Sequence, residues 1–160
     1  MPISGRLAQT HKPDKVLAVA SSGGHWVQLR RVIPAFAGAD IVYVTVLKSY
    51  RSQVPENKFY TVNDATRWNK LAWIMLGAKL VWIMAKERPA VVISTGAAPG
   101  FFGLMIGRWF GARTIWIDSI ANVEEVSMSG SRAGRYADLW LTQWPHLARS
   151  GGPHYAGSVL

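Results

Sequence analysis

The sequence predicts an α/β fold: a mostly parallel sheet with helices on both faces. Three observations predict it. Short apolar runs alternate with helical stretches in the order β-α-β-(β)-α-β-α-β. The runs are near-continuously apolar, as strands covered on both faces are. Two of them, ending at Ala20 and Ile93, run directly into the turns Ser21-Ser22-Gly23-Gly24-His25 and Ser94-Thr95-Gly96. A chain of 160 residues is long enough for one such domain with a real core.

Taken in order, residues 1–14 are polar, carry two prolines and lack the apolar stretch of a signal peptide; they read as a flexible lead-in. Lys15–Ala20 is the first strand, and a helix follows from Trp26 to about Ala37. Ile41–Leu47 is the second strand, Lys48–Asn57 a polar loop, and Lys58–Val62 a short third strand. Asn63 or Asp64 is placed to cap the next helix, about Thr66–Glu87. Ala90–Ile93 is a further strand. Pro99 suits a first helical position, opening an apolar helix over Phe101–Phe110 that Gly111 ends. Arg113–Ile117 is a strand, Ser119–Ser131 a loop, Arg132–Tyr136 a short helix and Leu139–Thr142 the last core strand. Pro145–Arg149 reads as a helical turn. The domain is expected to span 15–150, with 151–160 as a C-terminal tail placed to meet a partner.

Lys and Arg number 18 against 9 Asp and Glu, a formal charge of +9, which favours an anionic partner. There is no cysteine, so disulfide and thiolate chemistry are excluded. Eight tryptophans beside many cations suggest an anionic membrane surface. The Thr66–Glu87 helix supports this. Its apolar residues point in nearly every direction, yet Leu71–Ala85 is shorter than the ~20 residues needed to span a bilayer and contains Lys79. One side is expected on the sheet, with Trp68, Trp73, Lys79 and Trp82 at a membrane interface; burial of the whole helix is the alternative. A nucleic-acid role is disfavoured, because the cations are dispersed and the aromatics lie in apolar runs.

Familiar catalytic motifs are missing. The dinucleotide fingerprint, the P-loop and the G-x-S-x-G elbow are absent, and His11, His25, His146 and His154 have no metal spacing. No metal or cofactor is implied. Ligands of parallel sheets bind at the carboxyl ends of the strands, which gathers Ser21–His25, Ser94–Gly100 and Asp118–Asn122 on one rim. Two glycine turns with open amides suit a diphosphate, bound by Ser22, Gly23, Gly24, Ser94, Thr95 and Gly96. His25 can serve as a general base or hold a phosphate, or only cap its helix. Asp118 can orient or deprotonate a sugar hydroxyl, or only cap the following loop.

Five motifs fall in one order. They are Ser21-Ser22-Gly23-Gly24-His25; Ile93-Ser94-Thr95-Gly96-Ala97-Ala98-Pro99; Ile117-Asp118-Ser119 with Val123 and Ser127–Gly130; Ala137-Asp138-Leu139 with Gln143-Trp144; and Tyr155-Ala156-Gly157-Ser158. That order resembles the PssD- and CpsF-type polysaccharide biosynthesis proteins, a family that includes the membrane-anchoring subunit of the eukaryotic dolichol-pathway UDP-N-acetylglucosamine transferase. It is also similar to the N-terminal half of MurG, so the resemblance implies a Rossmann-like domain equivalent to the first half of a GT-B glycosyltransferase. It further implies a split enzyme. A PssE- or CpsG-like subunit would bind the UDP-sugar, and this chain would hold a polyprenyl-diphosphate-linked acceptor at the cytoplasmic face of the membrane, inactive alone. His25 and Asp118 would be the catalytic candidates, and N-acetylglucosamine or glucuronic acid the sugar transferred. A non-enzymatic membrane adaptor that recruits a self-sufficient transferase is the competing function. Two positions depart from the family: Asp118 stands where Glu is common and Asn122 where Arg is common.

Overall fold

The computed structural model describes residues 14–66 and 69–159. Its chain order is β1 (Lys15–Val19), α1 (Gly24–Val32), β2 (Asp40–Thr45), β3 (Lys58–Thr61), α2 (Lys70–Glu87), β4 (Val91–Ser94), α3 (Ala97–Trp109), β5 (Arg113–Ile117), α4 (Met128–Ala133), β6 (Leu139–Thr142) and β7 (His154–Tyr155). The seven strands form one sheet in the order β3-β2-β1-β4-β5-β6-β7. Every neighbouring pair is parallel, with Val16 opposite both Ile41 and Val91. The winding reverses between β1 and β4, so the switch point of this Rossmann-like sheet lies there.

Alternation along β1 builds the two layers. Val16, Ala18 and Ala20 pack with Trp26 and Leu29 of α1. Leu17 and Val19 pack on the other face with Leu76, Leu80, Ile83 and Met84 of α2, Leu104 and Ile106 of α3, and Ala133 of α4.

At the amino ends of the strands, Glu87 of α2 is buried among basic and phenolic donors. Its carboxylate accepts from Lys15 Nζ at 2.8 Å, Lys58 Nζ at 3.2 Å and the Tyr60 hydroxyl. Burial alone would raise the Glu87 pKa, but these donors hold it at about 2. Burial, with the same contact to Glu87, pushes Tyr60 up to about 12.

The structure moves several predicted boundaries. Helix α2 starts at Lys70, and Asn69 is its cap, accepting from the Ala72 amide at 3.0 Å. Asn63, the predicted cap, instead donates through Nδ2 to the Ala72 carbonyl. Helix α3 starts at Ala97, so Pro99 is its third residue, where a missing N–H still costs no helical bond. Helix α4 lies earlier than expected because Ser127 caps it, its hydroxyl accepting from Gly130 N at 2.8 Å. Residues in the stretch read as a tail form β7, and the Val159 amide donates to Gln143 Oε1 at 2.7 Å.

Helix α2 resolves into two apolar stripes. Leu76, Leu80, Ile83 and Met84 are buried, whereas Leu71, Ile74, Met75, Val81 and Trp82 are exposed, Ile74 by 67%. The exposed set also recurs at helical spacing, so the outward stripe is apolar as well. No described helix is long and apolar enough to cross a membrane.

Candidate functional site

The site is built where β1 and β4 end side by side. Each strand turns through a glycine into a helix. Gly23 (φ 67°) precedes α1 and Gly96 (φ 146°) precedes α3, and neither helix has a side-chain cap. Two helix N-termini with their partial positive charge therefore open on one crevice. Ala97, the first residue of α3, adopts φ 66°, a left-handed conformation that costs a non-glycine residue energy and concentrates at functional sites.

His25 and Thr95 lock the two turns together. His25 Nδ1 lies 2.9 Å from the Thr95 carbonyl, and the Thr95 hydroxyl donates back to the His25 carbonyl at 2.6 Å. A carbonyl can only accept, so Nδ1 carries the hydrogen. In the neutral ring, Nε2 is then left with a free lone pair. The ring crosses directly over the second turn, and a Cβ on Gly96 would overlap it.

The predicted diphosphate residues divide into two groups. The Gly23 amide is already taken by the Tyr50 hydroxyl at 3.0 Å, and the Gly96 amide by Ser94 Oγ at 3.1 Å. Ser94 and Thr95 are fully buried, and both hydroxyls are committed inside the protein. Ser22, Gly24 and His25 stay accessible at the lip, with the uncapped amides that open α1 and α3 beside them. Tyr50 was hidden from sequence reasoning in the Lys48–Asn57 loop. That loop forms a 3-10 turn, and the Tyr50 ring stacks on Trp26 at 4.8 Å, which brings its hydroxyl to Gly23.

Asp118 sits at the end of β5 and is 1% exposed. Its Oδ1 accepts from Trp116 Nε1 at 3.1 Å and from the Ser127 hydroxyl. Its Oδ2 accepts from Asn122 Nδ2 at 3.1 Å and Ser127 N at 2.8 Å. Four donors use all the lone-pair sites of a carboxylate. This geometry fixes the β5–α4 loop and the start of α4. Asn122, at the position where the resemblance leads one to expect Arg, is one of those donors.

A buried amide pair, Gln28 and Gln143, ties the rim together, and Gln28 was missed in reading the sequence. Gln28 follows His25 by three residues on α1, hence lies on the same helix side. Its Nε2 donates to Ser119 Oγ, and its Oε1 accepts from Ile120 N at 3.1 Å and from Gln143 Nε2. Gln143 also donates to the Asp118 carbonyl at 2.9 Å. The one available signal was a polar side chain on an otherwise apolar helix turn, Trp26 to Leu29.

Of the residues expected at a membrane, Lys79 and Trp82 are exposed on α2. Trp73 is half-buried against Phe102 of α3, ring centroids 5.2 Å apart, and donates through Nε1 to the Thr66 carbonyl. Trp68 lies outside the described residues. No group of three or more described His, Cys, Asp or Glu residues is arranged to hold a metal ion.

No family model matches the chain. In sequence it is similar to the UDP-N-acetylglucosamine transferase subunit ALG14 of Yarrowia lipolytica, 25% identical in an alignment 180 residues long, gaps included, that covers 92% of this chain and 83% of that protein. In structure it is similar to MurG of Acinetobacter baumannii, with a TM-score of 0.75 and 14% identity over 91% of this chain and 46% of that one. It is also similar to UDP-GlcNAc 2-epimerase of Methanocaldococcus jannaschii, with a TM-score of 0.64 and 12% identity over 80% of this chain and 39% of that one. The chain thus spans less than half of either solved structure. The fold is the Rossmann-like α/β fold of the N-terminal domains of GT-B glycosyltransferases.

Proposed function

We propose that this chain is the acceptor-binding subunit of a two-part GT-B glycosyltransferase that works at a membrane. It holds a polyprenyl-diphosphate-linked saccharide, and a PssE- or CpsG-like partner supplies the UDP-sugar, with N-acetylglucosamine or glucuronic acid as the sugar moved. The reading belongs with the PssD- and CpsF-type family, and its support from known proteins is the sequence similarity to a transferase subunit. The observation that carries it is the His25–Thr95 pair, which sets two uncapped helix N-termini against each other at the switch point of the sheet. Such a crevice offers several amide donors to an acceptor diphosphate and needs no metal for the purpose.

His25 acts at Nε2. It takes the proton of the acceptor hydroxyl as that oxygen bonds to the anomeric carbon and UDP departs with the electrons of the broken bond. Ser22, Gly24 and the first amides of α3 hold the diphosphate, while Ser94, Thr95 and Gly96 shape the second turn. Asp118 is a positioning residue that orders the loop beside them. The exposed apolar stripe of α2, with Lys79, rests on an anionic bilayer at its cytoplasmic face. Residues 151–159 close against the domain through β7, and the C-terminal segment contributes to the partner contact.

The test is sugar transfer by the chain with and without its partner, on membranes carrying the lipid acceptor and a panel of UDP-sugars. The single chain is expected to be inactive. With the partner bound, His25→Gln keeps a donor for the Thr95 carbonyl but cannot take a proton, and turnover is expected to fall about 10²–10⁴-fold. Robust transfer by the chain alone would overturn the split-enzyme reading. Normal turnover in His25→Gln would remove the base from this subunit.

A further inference from the structure

Helices α3 and α4 and the turn after α4 line a cavity of about 420 Å³ formed by Phe101, Ser131, Arg132, Arg135 and Tyr136. That volume is in the range of a small-ligand pocket. Its lining includes two arginines, a serine and a tyrosine but no acidic residue. Neither arginine has an ion-pair or hydrogen-bond partner among the described residues, whereas Arg108 nearby on α3 is paired with Asp138 at 2.8 Å. Paired, concave and unneutralised guanidinium groups suit a phosphate, which they can grip through two parallel N–H bonds each.

One wall of the cavity leads to the apolar surface. The rings of Tyr136 and Phe101 meet at 5.9 Å, Phe101 and Phe102 at 5.3 Å, and Phe102 and Trp73 at 5.2 Å. This aromatic row crosses from the turn after α4 over α3 to α2, where Leu71, Ile74 and Met75 are exposed. A basic hollow at one end and an apolar surface at the other complement an amphiphile, and a soluble phosphate would use only half of the arrangement. We infer that this cavity seats the phosphate headgroup of an anionic bilayer phospholipid, with its chains along the aromatic row and the α2 stripe. The inference rests on the membrane reading above. It assigns the headgroup to the bilayer because the acceptor diphosphate has its own donors at the two helix N-termini.

The full chain is mixed with vesicles of phosphatidylcholine, or of phosphatidylcholine with phosphatidylglycerol, and the bound fraction is measured by flotation. The wild type is expected to prefer the anionic vesicles. Arg132→Gln with Arg135→Gln is expected to weaken anionic binding about 30-fold, since each cation near such a surface is worth about a factor of five. Binding to phosphatidylcholine alone should change little. Arg132→Lys with Arg135→Lys keeps the charge but loses the fork, and should recover only part of the preference. Full recovery with lysine would mean diffuse attraction and overturn the seated headgroup. An unchanged Gln variant would also overturn it. So would normal vesicle binding with a raised acceptor KM, which would give the cavity to the acceptor. If the wild type binds neither vesicle, the membrane reading itself fails, a separate result.

Discussion

Glu87→Gln is a perturbation whose size follows from the structure. Glu87 is 4% exposed, sits at the last residue of α2 and accepts from Lys15, Lys58 and Tyr60. Its pKa is lowered from 4.5 to about 2 because those donors outweigh the cost of burial. At ~1.4 kcal/mol per tenfold change in affinity for a proton, that difference is about 3 kcal/mol of stability. The folded value is below the unfolded one, so the contribution is fully present above pH 4.5 and disappears as the pH falls to about 2. Glutamine keeps the shape but leaves Lys15 facing no anion closer than Asp40 at 4.0 Å. A loss of about 3 kcal/mol is therefore expected at neutral pH, in line with ~3–5 kcal/mol for breaking a buried pair. For a domain of this size that is roughly 6–12 °C in Tm. Urea melts from neutral pH down to pH 2 would check it: the gap between wild type and variant should narrow through the acid range. A constant gap across that range, or none at all, would refute the assignment. Because the cluster lies at the end of the sheet opposite the glycine turns, sugar transfer with the partner below the melting range should survive.

Two further predictions bear on the site and the surface. Gly96→Ala places a Cβ against the His25 ring and forces φ 146° on a residue that resists it; transfer with the partner should collapse while the fold persists by circular dichroism, and unaltered turnover would mean that the ring position is immaterial. Leu71→Glu with Ile74→Glu changes two side chains exposed by 65% and 67%; at ~1.5 kcal/mol or more for each buried aliphatic side chain, vesicle affinity should fall at least roughly 100-fold with Tm unchanged. A drop in Tm would instead reveal a structural role for that stripe.

The strands of the core were legible because their signal is local. Arg113–Ile117 and Leu139–Thr142 are apolar runs bounded by turn residues, and the structure has strands over those same residues. Strand β7 was not legible, since His154 and Tyr155 are both exposed and pair with β6 through backbone alone. Helix α4 carries no apolar period in Met-Ser-Gly-Ser-Arg-Ala, and its start is set by the Ser127 cap. The rim was legible from the glycines that end two strands. Which of its amides stay open was not, because Tyr50 reaches Gly23 from a loop 27 residues further along the chain. The all-round apolar pattern of α2 marked its special status without dividing the inner stripe from the outer one, a division that depends on where the sheet lies.

Helix α3 connects the two halves of the proposed function. Its N-terminus is one side of the crevice at Gly96 and Ala97, while Phe101 and Phe102, one turn further on, begin the aromatic row toward α2. At 1.5 Å per residue, the amide end and the first ring of that row are only about 6 Å apart along the helix axis. A lipid-linked acceptor can therefore bring its diphosphate to the crevice from a bilayer that meets the row, without a long bridge between them. Helix α1 reaches the crevice from the opposite face of the sheet, where Trp26 and Leu29 bury it, so its contribution there is through its N-terminus and His25. This asymmetry predicts separable effects. Changes on the α3 side should alter acceptor capture and membrane affinity together, whereas His25 on the α1 side should alter turnover with vesicle binding intact. A His25→Gln variant that lost vesicle binding as well would show that crevice and membrane surface are not organised as two ends of α3.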